Sequence, residues 1–231
     1  MPILTPTAAT GARTGPAEMT YVNPAQMMPP DDLKEFLADT GLNGPFVADL
    51  LSDILAHERC GAQLYRSVAQ RTNNPMLKKQ YEHFGTETTQ HVEILEKLIG
   101  QAGGDPQYVS PAARATTKAG TGLLESTFLL TGSIDLMTQE LVMLDAVLLA
   151  EAKDHANWTC LARLTADMPD GKIRDAFSQA VDTVAPQEDE HLGWATETRC
   201  KVVSAQAKSR AAQVVGEAAE TIVSRIKKWL D

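Results

Sequence analysis

From Pro45 onward, apolar residues recur at alternating spacings of three and four. Val47, Leu51, Ile54, Glu58, Gly61 or Ala62, Tyr65 and Ala69 fall on one stripe, which predicts a helix that stops near Asn73-Asn74-Pro75. A second stripe, Leu77, Tyr81, Phe84, Thr88, His91, Leu95 and Leu98, predicts a helix ending around residues 100–104, and the short connection makes the two an antiparallel hairpin. Residues 102–122 are turn-rich and weakly apolar and read as a long connection. In a four-helix bundle, such a crossover lets the third helix run parallel to the second. The third helix is predicted over much of 124–164, with room for a break or kink near Gly132; its stripe is Met137, Leu141, Leu144, Leu148, Glu151, His155, Trp158 and Ala162. After a tight turn at Met168-Pro169-Asp170-Gly171, a fourth helix carries Ile173, Phe177, Val181, Val184, Glu188, His191 and Ala195, with a kink expected at Pro186. Val215, Ala218, Ile222, Ile226 and Trp229 suggest a further C-terminal helix. Residues 1–30, rich in Pro, Thr, Ala and Gly, read as a flexible arm, and 31–39 as a short helix. The predicted organisation is all-α: an arm over 1–30, a four-helix bundle over 31–205 and an amphipathic helix over 206–231.

Each of the four long stripes is interrupted midway by ionisable residues: Glu58, then Glu87 with His91, then Glu151, then Glu188 with His191. A buried, unpaired carboxylate is costly, and four converging would repel one another. Two divalent cations, carrying roughly +4, would balance four carboxylates, with neutral imidazoles filling the remaining positions. Bundle sites for two irons or two manganese ions use a lone Glu from each of two helices and a Glu-x-x-His from each of the other two. Glu188-x-x-His191 fits that pattern directly, and Glu58 and Glu151 fit as the lone glutamates. The second helix departs from it. Thr88 stands three residues before His91, and Glu87 stands four before, so Glu87 either ligates from a shifted angle or that ligand is lost. A weak internal repeat accompanies the site: Glu58 lies seven residues before Tyr65, Glu151 lies seven before Trp158, and each is followed by a hairpin and a helix bearing a histidine.

Composition narrows the function. The chain has 231 residues, 43% hydrophobic, enough for one substantial core, and aromatics at only 5% favour helix over sheet. A formal charge of -9 and a pI near 5.1 argue against nucleic-acid binding. Cys60, Cys160 and Cys200 lie far apart and form no Cys-x-x-Cys, so neither a disulfide framework nor a thiolate zinc site is expected, and reduced thiols point to a cytoplasmic protein. No secretory signal pattern opens the chain and no apolar run reaches bilayer length, so Asn157-Trp158-Thr159 is read as a chance sequon. No phosphate-cradling glycine loop, His-Glu-x-x-His or Ser/His/Asp order occurs.

The segments HERCGAQLYR, TETTQHVEILEKLI, LLAEAKDHANW and EDEHLGW give residues 45–200 a resemblance to the ferritin-like superfamily, in particular to rubrerythrin-like and manganese-catalase-like domains. That resemblance implies a ferritin-like four-helix bundle holding a dinuclear iron or manganese centre that reacts with dioxygen or peroxide. Glu58 and Glu151 would be terminal carboxylates, Glu188 a bridge, His91 and His191 one ligand per metal, and Glu87 a bridging or substitute carboxylate. Oxygen and nitrogen ligands suit iron and manganese, and zinc less often. The cysteine knuckles of full-length rubrerythrins are absent, so no built-in electron-transfer domain is expected. His155 is read as a core or outer partner rather than a ligand, His57 and His83 as facing solvent or neighbouring side chains, Tyr65 and Trp158 as core packing, and Cys60 as structural. The expected function is a dinuclear metal oxidoreductase acting on a small-molecule oxidant or substrate. Ferritin-type iron oxidation and storage, and a non-catalytic bundle with a vestigial site, stand as alternatives. The C-terminal amphipathic stretch is read as covering the bundle or a homodimer face rather than a membrane.

Overall fold

Three helices open on the same local device. A side-chain oxygen caps the free amides of the first turn, and a proline follows where no amide hydrogen is needed. Asn43 caps Phe46 N, Asn74 caps Met76 N and Leu77 N, and Ser110 caps Ala113 N, each just ahead of Pro45, Pro75 or Pro111. The computed structural model describes residues 40–129 and 136–208, with Met27, Asp32, Phe36 and Leu37. Among them the protein is all-α, with α1 (Gly44–Arg71), α2 (Pro75–Gln101), α3 (Pro111–Ser126), α4 (Leu136–Ala166) and α5 (Lys172–Lys208), and no strand.

Helices α1 and α2 form one hairpin and α4 and α5 another; α1 also packs on α4, and α2 on α5. Helix α1 is antiparallel to α4, because Tyr65 meets Glu151 while Glu58 meets Trp158. Helix α2 therefore runs parallel to α4, as expected from the long connection. That connection is itself a correction to the sequence reading: residues 111–126 are helical, and α3 lies along α1 and α4. It is fastened to α1 by Ser52 donating to the Tyr108 carbonyl at 2.8 Å and by Thr116 donating to Asp53. Residues 124–126 belong to α3 rather than to the third long helix, which is described from Leu136 onward. Helix α5 continues through Pro186. Gly132, most of 31–39, the arm over 1–30 and the stretch carrying 215–229 lie outside the described residues, apart from those named above. No helix among the described residues is long and apolar enough to cross a membrane.

Two apolar clusters fill the interior. One gathers Leu51, Ile54 and Leu55 of α1, Leu95 and Leu98 of α2, Trp158 and Leu161 of α4, and Phe177 and Val184 of α5. The other gathers Leu64 and Val68, Leu77, Tyr81 and Phe84, Met143, Leu144 and Val147, and Ala195 from the same four helices. The interrupted positions of the stripes fall between them, so the fold places a polar layer inside an apolar column.

Helix α3 approaches α1 closely at Gly120, where a Cβ would lie 2.7 Å from both Cβ and Sγ of Cys60. Neither helix can yield there without moving its backbone, and overpacking of this kind costs about 1–3 kcal/mol. The Gly120→Val variant is therefore expected to unfold at lower denaturant than wild type; equal midpoints would show that α3 is not held against α1 at this point.

Candidate metal centre

Glu58 of α1, His91 of α2, Glu151 of α4, and Glu188 and His191 of α5 all lie in the polar layer, and none is more than 3% exposed. The helical period accounts for this, since each sits on the stripe that its helix turns inward. His91 Nδ1 lies 2.9 Å from Glu188 Oε1 and 3.5 Å from Glu58 Oε2. His191 Nδ1 lies 3.4 Å from Glu151 Oε2 and 3.7 Å from Glu188 Oε1. Their inward atoms form two overlapping groups, Glu58–His91–Glu188 and Glu151–Glu188–His191, each with ligand atoms within 4.8 Å of one another, and each able to hold a metal ion. Glu188 belongs to both.

The outward atoms of Glu58, Glu151 and the two histidines are satisfied by the protein. Trp158 Nε1 donates to Glu58 Oε1 at 2.7 Å, and Tyr65 Oη donates to Glu151 Oε1 at 2.8 Å. The residue seven past each lone glutamate thus serves the glutamate of the opposite hairpin, so Tyr65 and Trp158 do more than fill the core. His191 Nε2 lies 2.9 Å from Glu87 Oε2, and His91 Nε2 lies 2.8 Å from Gln187 Oε1. The inward atoms are different. Glu58 Oε2, Glu151 Oε2, both oxygens of Glu188 and Nδ1 of both histidines are buried without a hydrogen-bond partner. Buried polar atoms are nearly always paired, and six orphaned donor atoms facing one another could hold a cation.

Electrostatics agree with that reading. Burial opposes a charge on His91, but the Glu188 and Glu58 carboxylates outweigh it and push its pKa up to about 10. Burial, together with the Glu151 and Glu58 charges, pushes Glu188 up to about 7 against the pull of His91. His191 is raised as well; burial works against it, and Glu151 and Glu188 prevail. All three shifts favour the protonated form of a group in this layer.

Glu87 is the one candidate ligand that the structure sets apart. It stands behind the His191 ring, 17% exposed, and belongs to neither inward group. Thr88, at the position matching Glu188, is buried but turns its hydroxyl back to the Phe84 carbonyl at 2.9 Å. His155 faces outward, with Nδ1 3.0 Å from the exposed Asp189. His83 is likewise exposed, 3.7 Å from Glu87. Cys60 is half-buried against α3.

His57 does not face solvent. It is buried, with Nε2 2.9 Å from the Ala150 carbonyl, and burial lowers its pKa. Its neighbour Asp154, 3.8 Å away, is a buried carboxyl beside the centre whose pKa is driven well up by burial and by Glu58, Glu188 and Glu151. Sequence reasoning missed Asp154 and Gln187. Asp154 lies one turn past Glu151, and Gln187 is found by aligning TETTQH with PQEDEH on their histidines, which matches Glu87 to Gln187 and Thr88 to Glu188.

A family model described as a domain of unknown function, DUF892, matches residues 46–182, more than half of the chain. Glu58, Glu87, His91 and Glu151 fall inside that match, and Gln187, Glu188 and His191 lie past its end. No curated protein and no solved structure matches the chain.

Two outcomes follow from this arrangement. The folded, metal-free chain holds protons on Glu188 (about 7 against an ordinary 4.5) and on His91 (about 10 against 6.5) that the unfolded chain releases earlier. The stability these groups contribute is full below pH 4.5 and 6.5 respectively, and is lost as pH rises through about 7 and about 10. Melting temperatures of metal-free protein should therefore fall between neutral pH and about pH 10, and a rise over that window would contradict the assignment. Separately, Tyr65→Phe strands Glu151 Oε1, which should cost about 1–3 kcal/mol in denaturant unfolding. An unchanged midpoint would show that the hydroxyl contributes nothing.

Proposed function

The chain belongs to the DUF892 family, and we propose that it is a ferritin-like four-helix bundle whose core binds two metal ions, iron or manganese, and acts as an oxidoreductase on dioxygen or peroxide. The observation that carries this reading is the set of six orphaned donor atoms shared by Glu58, His91, Glu151, Glu188 and His191. Apolar replacements would pack this layer without penalty, so the presence of five ionisable side chains with unmet valences favours ligation. Oxygen and imidazole donors with no thiolate suit iron and manganese.

In this reading Glu58, His91 and Glu188 would hold one metal, and Glu151, Glu188 and His191 the other. The bound pair would supply the electrons, or accept them, in a reaction with dioxygen or peroxide. The protein's own residues do the rest. Trp158 and Tyr65 orient Glu58 and Glu151, so each presents its second oxygen inward. The two apolar clusters keep bulk water from the layer and strengthen every charge interaction in it. Nδ1 of His91 and the Glu188 carboxyl give up their protons when metal enters, so uptake should release acid. Thr88 contributes no ligand where α5 contributes Glu188, which leaves the α2 side with one donor fewer and favours that side for a small molecule. A cleft of about 630 Å³ between α1 and α2 has Tyr65, the donor to Glu151, on its wall.

Elemental analysis of protein reconstituted with ferrous iron or manganese should give two metals per chain, together with measurable consumption of oxygen or peroxide. The Glu151→Ala/His191→Ala variant should lose both. Near-zero metal in reconstituted wild-type protein would sink the proposal.

A further inference from the structure

The residues behind the two histidines are not equivalent, and they are joined. Gln187 Nε2 donates to Glu87 Oε1 at 3.1 Å, Gln187 Oε1 lies 2.8 Å from His91 Nε2, and Glu87 Oε2 lies 2.9 Å from His191 Nε2. These contacts form one chain from ring to ring on the outer side of the centre: His91, Gln187, Glu87, His191. Glu87 can only accept. It therefore takes a hydrogen from His191 Nε2 on one oxygen and from the Gln187 amide on the other. That fixes the amide's orientation, since a flipped amide would set its oxygen against the carboxylate. The amide oxygen then faces His91 and requires a hydrogen on Nε2 there too. With both Nε2 atoms protonated, both neutral rings offer Nδ1 inward, where the orphaned positions lie.

We propose that the Glu87–Gln187 pair is a positioning device that holds both histidines in the tautomer that binds metal through Nδ1. By setting a carboxylate behind His191 and only an amide behind His91, it makes His191 the stronger donor. The inference rests on the dinuclear reading above, with Glu87 acting through the histidines rather than as a ligand. The direction of inequality follows from charge: a carboxylate acceptor draws the Nε2 hydrogen and enriches Nδ1 more than an amide does.

The hydrogen count makes the device testable. In Glu87→Gln the chain has one hydrogen too many. If the new amide accepts from His191, its own hydrogens turn the Gln187 amide around, which then points its NH2 at His91 Nε2. If the new amide instead accepts from Gln187, its NH2 points at His191 Nε2. Either way one ring is forced to carry its hydrogen on Nδ1 and to lose its metal contact. Exchanging the two residues, Glu87→Gln with Gln187→Glu, restores a single carboxylate in the chain and hence both tautomers, with the charge now behind His91.

The experiment is manganese titration of the full chain with metal analysis, followed by anomalous-scattering maps at one equivalent and at saturation. Wild type should fill the Glu151/His191 side first and reach two metals. Glu87→Gln should bind at one position roughly 10- to 100-fold more weakly. The exchange variant should recover two metals and fill the Glu58/His91 side first. Two metals with unchanged affinities in Glu87→Gln, or an exchange variant that melts like wild type yet stays deficient, would overturn the inference and leave the dinuclear reading standing. No metal in wild type would overturn both.

Discussion

Three carboxylates and two imidazoles meet in a layer closed above and below by apolar side chains, where their inward atoms face one another without a hydrogen-bond partner. In such a medium, unscreened charges repel strongly, and an unpaired carboxylate is far more expensive than a Leu of similar size. Each of the five side chains is nevertheless held in place, four by an outer atom through Trp158, Tyr65, Glu87 or Gln187, and Glu188 by crowding between both histidines. The protein thus commits hydrogen bonds to aiming these groups at one another rather than away. The crowding shows in the raised pKa values of His91, pushed up by Glu188 and Glu58, and of Glu188, pushed up by burial, Glu151 and Glu58.

The two hairpins are related by a pseudo-twofold arrangement, and its breaks carry as much information as its matches. Glu58 and Glu151 correspond, as do Tyr65 and Trp158, and the crosswise donation between them needs both hairpins in place. His91 and His191 correspond, with stacked rings at 24° and centroids 5.8 Å apart. Thr88 breaks the match to Glu188, Glu87 the match to Gln187, and Gly61 the match to Asp154. The first break removes an inward carboxylate. The second returns a carboxylate to the same neighbourhood, one layer out.

The apolar period alone exposes the four long helices, and the ionisable interruptions expose Glu58, His91, Glu151, Glu188 and His191, because a stripe turns inward; His155, on the edge of its stripe, faces Asp189 instead. Helix α3 escaped that reading because its inward face is made of Ala113 and Thr116 rather than large apolar residues, so an Ala- and Thr-rich surface helix looks like a loop. Glu87 falls outside both inward groups for a geometric reason. At about 100° per residue, positions three and four before a histidine fall on opposite flanks of it, and only one flank can face the core. Helix α5 uses both flanks, Glu188 inward and Gln187 outward, so the inward one was already marked within the chain. His57 and Asp154 gave no period signal, since His57 is adjacent to a stripe residue and Asp154 sits a turn beyond one.

Charge balance ties Glu87 back to the centre. Four carboxylates balance two divalent cations. Only three of the four, Glu58, Glu151 and Glu188, face the layer. The fourth, Glu87, delivers its charge through the His191 ring, 2.9 Å from Nε2, without occupying a ligand position. The sum is therefore kept while a donor is withheld at Thr88. A site with all four carboxylates inward would be balanced but crowded, and one without Glu87 would be roomier but carry excess positive charge when loaded. In the proposed reading, placing the fourth charge behind a histidine would balance two divalent cations without adding a fourth carboxylate to the ligand set.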